Sequence, residues 1–459
     1  MISTQTFREL NQSQRAYFNS GATRPLAFRR QQLKTLRQLI SNGQEAIIKA
    51  LASDLGKPGF ESYLAEIYAS LKEIDHAHKN LPRWLQSRAV AVDIEAWPGV
   101  ATITPEPLGV VLIISPWNYP FSLTIAPLVG AIAAGNCAIL KPSEHSSATS
   151  QLLAQWLNEA FPAHYLQVVT GDAQVSQQLL QEKFDHIFFT GGTQVGQKIM
   201  LAAAQNLTPV TLELGGKSPC IVDTDIDLVE AAKRIVWGKF INAGQTCIAP
   251  DYLLVQESIY PQLIGQLQKA IAAFYGAEPR RSPDYGRIIN RFQLERLVGL
   301  LKEGKIITGG DYLLEENYLA PTLMTQVNLD GPLMNEEIFG PILPILSYKT
   351  LAEAIAFVQA RPKPLALYLF SQNQDQQNQV LTQTSAGGVC LNDTILQVGI
   401  IGLPFGGVGA SGIGSYHGRA SFDTFSHAKS ILKKPFRWET NLRYPPYGNK
   451  LSWVKKFFR

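Results

Sequence analysis

Short apolar runs that each end at a polar or glycine-containing turn are the feature of this chain that most constrains its fold. The clearest three are residues 110–114 before Ser115-Pro116, residues 138–140 before Lys141-Pro142, and residues 186–189 before Thr190-Gly191-Gly192. Segments with helical character separate them, at residues 122–134, 147–160 and 194–204. Short buried strands that alternate with helices predict a parallel α/β sheet. Ligands of such sheets bind where strands end and helices begin, so the turns are candidate binding residues.

A second α/β unit is expected after residues 209–216, where a strand-like run passes into a Gly-Gly turn. Its predicted elements are a helix near 228–242, a strand near 252–255, a helix near 259–275 and a strand near 365–370. The chain has 459 residues, of which 46% are apolar and 17% charged, so it can bury the cores of two or three domains. The formal net charge is 41 − 37 = +4 with no basic block, so we expect no nucleic-acid partner.

The four cysteines are far apart and lie in apolar segments without a Cys-x-x-Cys pair; they are Cys137, Cys220, Cys247 and Cys390. This pattern favours reduced intracellular thiols over a disulfide framework or a zinc site, and we expect no metal. Residues 1–15 lack the apolar core of a signal peptide, and no window reaches the ~18 uninterrupted apolar residues of a membrane span. The sequence therefore predicts a cytoplasmic protein.

Cys247 has a distinctive setting, because it follows a glycine-containing turn and precedes a proline in Asn242-Ala243-Gly244-Gln245-Thr246-Cys247-Ile248-Ala249-Pro250. A thiol on such a turn can be aimed into a cleft and act as a nucleophile if neighbouring groups polarise it. A buried structural cysteine is the alternative, because free cysteine is among the most buried residue types. Polar residues that could assist Cys247 in catalysis would distinguish the nucleophile from the structural cysteine.

Two polar residues are candidate helpers. Asn118, after the 110–114 run, can donate its amide to the oxyanion that forms when a thiolate attacks a carbonyl, or can simply cap a turn between two prolines. Glu213 interrupts a β-type run just before Gly215-Gly216, and a carboxylate there is costly to bury unless it is paired or functional. Glu213 is either a general base that activates water or one member of a structural ion pair.

Residues at the predicted strand ends suit a dinucleotide. The turn after the 186–189 run offers backbone N–H groups at a helix start to a pyrophosphate, and its candidate residues are Thr190, Gly191, Gly192, Val195 and Gly196. The turn lacks the Gly-x-Gly-x-x-Gly fingerprint, so a plain strand–helix connection stays an alternative. Lys141 and Glu144 follow another strand and can bond ribose hydroxyls or form an exposed charged loop. Glu337 is a candidate for the nicotinamide ribose, with Phe339 packed beside it or in the core.

The glycine-rich segment 404–414 imitates a nucleotide loop, but no buried strand leads into it and Pro404 precedes it. Glycine also permits close approach of backbone segments. We therefore expect close backbone packing near the active site in this segment.

Five motifs, in family order, resemble the aldehyde dehydrogenase superfamily over nearly the whole chain. They are Pro116-Trp117-Asn118, Lys141-Pro142-Ser143-Glu144, Leu212-Glu213-Leu214-Gly215-Gly216-Lys217, Gly244-Gln245-Thr246-Cys247 and Glu337-Ile338-Phe339-Gly340-Pro341. Closer similarity is to the class 3 and fatty aldehyde dehydrogenase branch, carried by stretches such as Trp237-Gly238-Lys239-Phe240, Gly414-Ser415-Tyr416-His417-Gly418 and Arg443-Tyr444-Pro445-Pro446. One departure is Gly192, which stands where many relatives have Ser.

The resemblance implies an aldehyde dehydrogenase-like α/β fold with four parts. They are a Rossmann-type NAD(P)-binding domain (1–85 and 105–212), an α/β catalytic domain (213–412), a small β oligomerisation arm (86–104 and 413–435) and a C-terminal tail (436–459). The arm implies a homodimer. The tail resembles the juxtamembrane helix of fatty aldehyde dehydrogenases, so Trp453, Phe457 and Phe458 with Lys455, Lys456 and Arg459 predict either peripheral contact with a membrane surface or a plain docking helix near the pocket mouth.

The resemblance also implies NAD(P)-dependent oxidation of medium- or long-chain, or otherwise extended apolar, aldehydes to carboxylic acids. Cys247 would form a thiohemiacetal and then a thioester, with Asn118 and Glu213 in the helper roles above. The expected pocket walls are Tyr119, Trp237, Ile395 and Ile401. NAD is the expected cofactor because Glu144 would repel the 2′-phosphate of NADP. NADP is the second candidate cofactor. One alternative is an acylating enzyme that transfers the acyl group of the thioester to coenzyme A, and the presence of Glu213 argues against it. A less favoured alternative is a non-enzymatic protein that retains the fold.

Overall fold

Three β-sheets and a two-stranded hairpin organise residues 4–439 and 441–457, which this computed structural model describes. The strands are β1 Arg88–Val90, β2 Val100–Pro107, β3 Val110–Ile114, β4 Cys137–Lys141, β5 Leu166–Val168, β6 His186–Thr190, β7 Val210–Glu213, β8 Pro219–Val222, β9 Tyr252–Gln256, β10 Lys305–Thr308, β11 Tyr312–Leu313, β12 Tyr318–Leu319, β13 Thr322–Thr325, β14 Ile342–Tyr348, β15 Ala366–Phe370, β16 Gly388–Leu391, β17 Gly412–Ile413 and β18 Ser426–Lys433.

Helices cover and connect these sheets. They are α1 Thr4–Asn19, α2 Leu26–Asn42, α3 Gln44–Leu55, α4 Gly59–Glu61, α5 Ala69–Trp84, α6 Ser122–Ala134, α7 Ser147–Ala160, α8 Ala173–Leu179, α9 Thr193–Ala204, α10 Leu228–Phe240, α11 Tyr260–Tyr275, α12 Arg291–Leu300, α13 Pro332–Asn335, α14 Leu351–Gln359, α15 Gln374–Gln383, α16 Gly418–Thr424 and α17 Lys450–Phe457. A π-helical turn, Ser62–Tyr68, joins α4 to α5.

The first sheet has the strand order β17-β7-β6-β3-β4-β5. Strands β3 to β7 are parallel, and β17 pairs antiparallel with β7 at the edge. The three predicted runs are confirmed as strands β3, β4 and β6, which are buried because helices cover both faces. Helix α6 is buried almost throughout, and the N-terminal helices add Phe7, Leu33 and Leu36 to the same core.

The second sheet has the order β10-β13-β14-β9-β8-β15-β16, with β10 antiparallel at one edge and the other strands parallel. The predicted elements of this unit are confirmed as α10, β9, α11 and β15. Strand β7, which the sequence placed at the crossing between units, belongs to the first sheet, and the chain changes sheet between Glu213 and Pro219.

The strand register aligns the turns of the first sheet along one edge. Ile114 lies opposite both Lys141 and Phe189, and Thr190 lies opposite Glu213. The segments that follow β3, β4, β6 and β7 therefore leave the sheet together at the carboxyl ends of its strands, which is where parallel α/β sheets bind ligands.

The third sheet, β1-β2-β18, is antiparallel and largely exposed. Residues 91–99 connect β1 to β2 and include a short 3₁₀ turn, Ile94–Ala96, and helix α16 ends at Thr424 before β18 begins. The domain boundaries given above stay predictions.

None of the helices in the described ranges is long and apolar enough to cross a membrane.

Candidate active site

The loop before Cys247 has an unusual backbone conformation. Asn242 and Ala243 both have φ of 52°, and Gly244 has φ of 74°. Such left-handed conformations are costly for non-glycine residues and persist only where the surroundings impose them. Here the Gln245 side chain imposes them, since its Nε2 donates to the main-chain oxygens of Asn242 (3.0 Å) and Arg287 (2.9 Å) while its Oε1 accepts from Ile289 N (2.9 Å). The sequence motif contained Gln245, but its anchoring role was not predicted.

Asn118 lies next to this loop. Its side chain is buried, and its Nδ2 donates to the main-chain oxygen of Gln245 at 3.0 Å. An amide NH₂ has two hydrogens, so one bond to the loop leaves a second N–H for a substrate oxygen. The structure thus brings the candidate oxyanion donor to the loop that carries the candidate nucleophile.

Glu213 ends strand β7 and is buried, and neither of its carboxylate oxygens has a hydrogen-bond partner among the described residues. The structural ion pair considered from sequence is therefore absent from this part of the chain. Burial raises the pKa of the Glu213 carboxyl well above its ordinary value. A buried, unpaired carboxylate of raised basicity suits a general base.

The Cys247 thiol is also in a desolvated site. Burial raises its pKa above the ordinary value, and the charges of Glu337 and Glu213 raise it further, while nearby backbone N–H groups act in the opposite direction. The thiol is therefore protonated at neutral pH in the free protein, and it must lose its proton when it reacts.

A cavity of about 240 Å³ lies on one side of Cys247. Its walls include five of the predicted cofactor residues, Thr190, Gly191, Gly192, Glu337 and Phe339, together with Cys247, Glu213 and Asn118. Among the described residues, a Cβ added to Gly192 would meet no atom within 4 Å, and the buried Thr190 hydroxyl has no hydrogen-bond partner. Open space at the start of α9 and an unused hydroxyl fit a bound anionic cofactor. Trp117 and Gln293 also line this cavity and were not predicted.

Four predicted cofactor residues do not line this cavity. Lys141 is buried at the end of β4, where its Nζ donates to Pro142 O (2.9 Å) and to Glu144 Oε2 (3.4 Å). Val195 is half exposed on α9. A Cβ on Gly196 would lie 2.6 Å from Leu214 Cδ2, so close helix–sheet packing explains that glycine.

Glu337 is fixed on the far wall of the cavity. Burial and the neighbouring charge of Asp251 raise the pKa of its carboxyl to about 8, opposed by a backbone hydrogen bond from Gly216. Lys217 holds the segment that precedes it, because its Nζ pairs with Asp251 and donates to Leu333 O (2.8 Å) and Glu336 O (2.9 Å). Phe339 packs edge-to-face on Trp117, with ring centroids 5.2 Å apart.

The second cavity, of about 280 Å³, has an almost entirely apolar lining. All four predicted pocket residues, Tyr119, Trp237, Ile395 and Ile401, line it. It also includes unpredicted residues from the π-helical turn and from the segments on either side of β17, among them Leu64, Tyr68, Phe405 and Tyr416. The two cavities share Leu123, Thr190, Glu213, Leu214 and Cys247, so the thiol and the carboxylate lie where they meet.

The glycine-rich segment packs as expected. A Cβ on Gly407 would lie 2.0 Å from Ser411 O, and one on Gly412 would lie 2.4 Å from Leu212 O. Gly412 pairs with Glu213 across β17 and β7, so this close approach supports the backbone of the candidate base. Within residues 4–439 and 441–457, no group of three or more His, Cys, Asp or Glu side chains is arranged to hold a metal.

The chain is similar to known proteins over nearly its full length. Residues 3–431 match the family model described as the aldehyde dehydrogenase family. A Staphylococcus aureus protein named 4,4'-diaponeurosporen-aldehyde dehydrogenase is 47% identical, covering 97% of each chain. Mouse aldehyde dehydrogenase family 3 member A2 is 49% identical (96% of this chain, 92% of the relative), and the dog enzyme named aldehyde dehydrogenase, dimeric NADP-preferring, is 48% identical (97% and 98%).

A solved structure described as the substrate-bound state of Staphylococcus aureus AldH superposes with a TM-score of 0.96 at 46% identity, covering 98% of this chain and 99% of the other. The expected fold class and the family 3 resemblance are therefore confirmed. The chain belongs to the aldehyde dehydrogenase family and is an NAD(P)-dependent enzyme of aldehyde oxidation.

Proposed function

We propose that this enzyme oxidises extended apolar aldehydes to carboxylic acids with Cys247 as nucleophile, Asn118 as oxyanion donor and Glu213 as general base. The observation that carries this proposal is the position of Cys247 and Glu213 where the cavity at the strand ends, which the predicted cofactor residues line, meets the apolar cavity. A substrate chain in the apolar cavity would present its carbonyl carbon to the thiol, with the cofactor cavity on the other side.

The first half of the reaction forms a bond between sulfur and carbon. Cys247 loses its thiol proton to water, and the thiolate attacks the carbonyl carbon. The oxygen becomes an oxyanion that the free N–H of Asn118 stabilises; such a donor is worth about 3 to 4 kcal/mol. A bound dinucleotide would supply the acceptor for the hydride that leaves this carbon. Thr190, Gly191, Gly192, Glu337 and Phe339 would hold it on the cavity wall, with Lys141 and Glu144 farther along the same sheet edge. A thioester on Cys247 results.

The second half releases the acid. Glu213 takes a proton from water as the water attacks the thioester carbon, and the sulfur–carbon bond then breaks to return the thiol and the carboxylic acid. A desolvated carboxylate is a strong base for this step. Because Glu213 is present and unpaired, we favour water over coenzyme A as the acceptor.

The lining of the apolar cavity sets the substrate class. Tyr119, Trp237, Ile395 and Ile401 offer contact area and few polar partners, which favours a medium or long hydrocarbon chain over a small polar aldehyde. The name of the Staphylococcus aureus relative, a dehydrogenase of 4,4'-diaponeurosporen-aldehyde, supports this choice.

A homodimer built through the β1-β2-β18 arm is proposed as well. Strand β18 pairs only with β2 among the described strands, so its outer edge is open to pairing, and the dog relative is named dimeric. Sedimentation equilibrium should give the mass of two chains, and the mass of one chain would contradict the assignment.

Replacement of the nucleophile is the first test. Cys247→Ala should abolish NADH formation from an aliphatic aldehyde. The control is Cys390→Ala, which should retain wild-type rates because Cys390 is a half-buried residue of β16 outside both cavities.

Replacement of the general base should separate the two halves of the reaction. Glu213→Gln should form NADH in a first turnover and then turn over about 10²- to 10⁴-fold more slowly, because the general base is lost. Full activity of folded Cys247→Ala would refute the mechanism, and acyl-coenzyme A as the wild-type product would refute hydrolysis.

Cofactor preference is the second test. We propose that Glu144 disfavours the 2′-phosphate of NADP, since two like charges about 4 Å apart in water repel by about 1 kcal/mol. Glu144→Gln should therefore raise kcat/KM for NADP relative to NAD about fivefold, with a smaller effect at high salt. The matched control is Glu159→Gln, an exposed residue of α7, which should leave the ratio unchanged. An unchanged ratio in Glu144→Gln would assign the preference elsewhere.

Peripheral membrane contact through α17 is the third test. Leu451 and Trp453 are exposed beside the basic residues Lys455 and Lys456, a composition typical of interfacial helices. The side chain of Phe457 and residues Phe458 and Arg459, which belong to the same prediction, lie outside the described residues. The full chain should pellet with anionic vesicles more than a chain cut after Asn449 or a Lys455→Gln/Lys456→Gln variant. Equal pelleting of all three would dismiss the contact.

A further inference from the structure

A buried ion pair from the N-terminal helices contacts the turn that carries Asn118. Lys57 follows helix α3, and Glu66 lies in the π-helical turn Ser62–Tyr68. Both side chains are fully buried and pair with each other. A buried ion pair is weak evidence for stability, because desolvation of the two charges offsets much of their attraction. The contacts that the pair makes with the active site offer another reason for it.

Lys57 holds one end of this turn. Its Nζ donates to the main-chain oxygen of Asn118 at 3.0 Å and lies 4.0 Å from the centroid of the Tyr119 ring. The Asn242 side chain donates to the same oxygen at 2.9 Å. The Tyr119 hydroxyl in turn bonds to Thr246 Oγ1 at 2.8 Å, next to Cys247. Lys57 therefore contacts the oxyanion donor and the residue that ties it to the cysteine loop.

Glu66 holds the other end. One carboxylate oxygen pairs with Lys57, and the other accepts from Phe121 N (3.0 Å) and Ser122 N (2.9 Å). These N–H groups belong to the start of helix α6, which has no side-chain cap of its own. A carboxylate at a helix N-terminus satisfies unpaired donors and interacts favourably with the helix dipole. Glu66 therefore fixes where α6 begins, at Ser122, four residues after Asn118.

We propose that Lys57 and Glu66 are positioning residues for the oxyanion donor. Residues 115–121 belong to no strand or helix, and the ion pair, which contacts both ends of residues 118–122, sets the direction in which the Asn118 amide points. This inference rests on the proposed role of Asn118. Neither Lys57 nor Glu66 lines either cavity, so they act through the turn and not on substrate.

The test uses single-turnover NADH formation with enzyme in excess over an aliphatic aldehyde. The double variant Lys57→Met/Glu66→Gln removes both charges and keeps side chains of similar size. Its rate constant should fall about 10- to 100-fold, because a shift of about 1 Å in a reacting group can lower the reaction rate about 10²-fold. NAD binding, followed by fluorescence, and alkylation of Cys247 by iodoacetamide should stay at wild-type values. Lys57→Arg, which keeps a cationic donor, should recover part of the rate.

A matched control removes an exposed ion pair from neighbouring N-terminal helices. Arg37 and Asp75 pair on the surface between α2 and α5, and Arg37→Met/Asp75→Asn should leave the rate unchanged. A wild-type rate in the folded Lys57→Met/Glu66→Gln variant would overturn the inference, as would parallel losses of NAD binding, alkylation and rate, which indicate a merely structural pair.

Two further variants keep the outcome decisive. If the double variant does not fold, Glu66→Gln, which keeps an oxygen acceptor for α6, takes its place with the same expected loss and the same overturning results. Asn118→Ala separates the two proposals: it should slow the single turnover about 10²- to 10³-fold. A wild-type rate in Asn118→Ala would refute the oxyanion role itself, whereas a slow Asn118→Ala with fast pair variants would refute the positioning role alone.

Discussion

The hydrogen bond from the side-chain amide of Asn118 to the main-chain oxygen of Gln245 joins the proposed oxyanion donor to the loop of the nucleophile. Asn118 follows a strand of the first sheet, and Gln245 belongs to the loop that leaves helix α10 of the second unit. The bond sets the distance between oxyanion donor and nucleophile, since Cys247 is only two residues beyond Gln245. The left-handed backbone at Asn242 and Ala243, the Gln245 side chain and the Lys57–Glu66 pair all serve to keep these two turns in place.

Desolvation gives the site its chemistry. Glu213 is buried, Cys247 and Glu337 are half-buried, and desolvation is the largest cause of the raised pKa of each. Such groups are costly to keep away from water, so the fold must hold them by other means, such as the close backbone packing of Gly412 against β7. The result is a base and a thiol that both line the cofactor cavity and the apolar cavity.

Much of this arrangement could be predicted from the sequence, and the reasons are local. Val110–Ile114 is a continuous apolar run bounded by a turn, so both its strand type and its end were evident. Strand ends of one parallel sheet share one end of that sheet, which grouped Asn118 with the Thr190–Gly192 turn, whereas Glu213 was expected at the crossing into the second unit. The motifs around Glu337 and Cys247 added the second unit through resemblance to a family.

What the sequence did not reveal depends on contacts between distant segments. Lys57 lies 61 residues before the oxygen it binds, and nothing in its neighbourhood marks it as more than a helix-end lysine. Leu64 and Tyr68 read as one face of a helix, but the pattern does not say that the face lines a cavity. Gly196 was assigned to a cofactor, although its packing against Leu214 is sufficient reason for a glycine. Strand β18 begins after Thr424 because a short helix, α16, occupies the preceding residues.

The central claim is that Cys247 carries the acyl group between oxidation and hydrolysis. The most direct measurement is peptide mass spectrometry of the Glu213→Gln enzyme, quenched in acid after mixing with NAD and an aliphatic aldehyde. The account predicts that the peptide containing Cys247 gains the mass of the acyl group, and that Cys137, Cys220 and Cys390 stay unmodified. An unmodified Cys247 peptide after one equivalent of NADH has formed, or the acyl group on another residue, would contradict it.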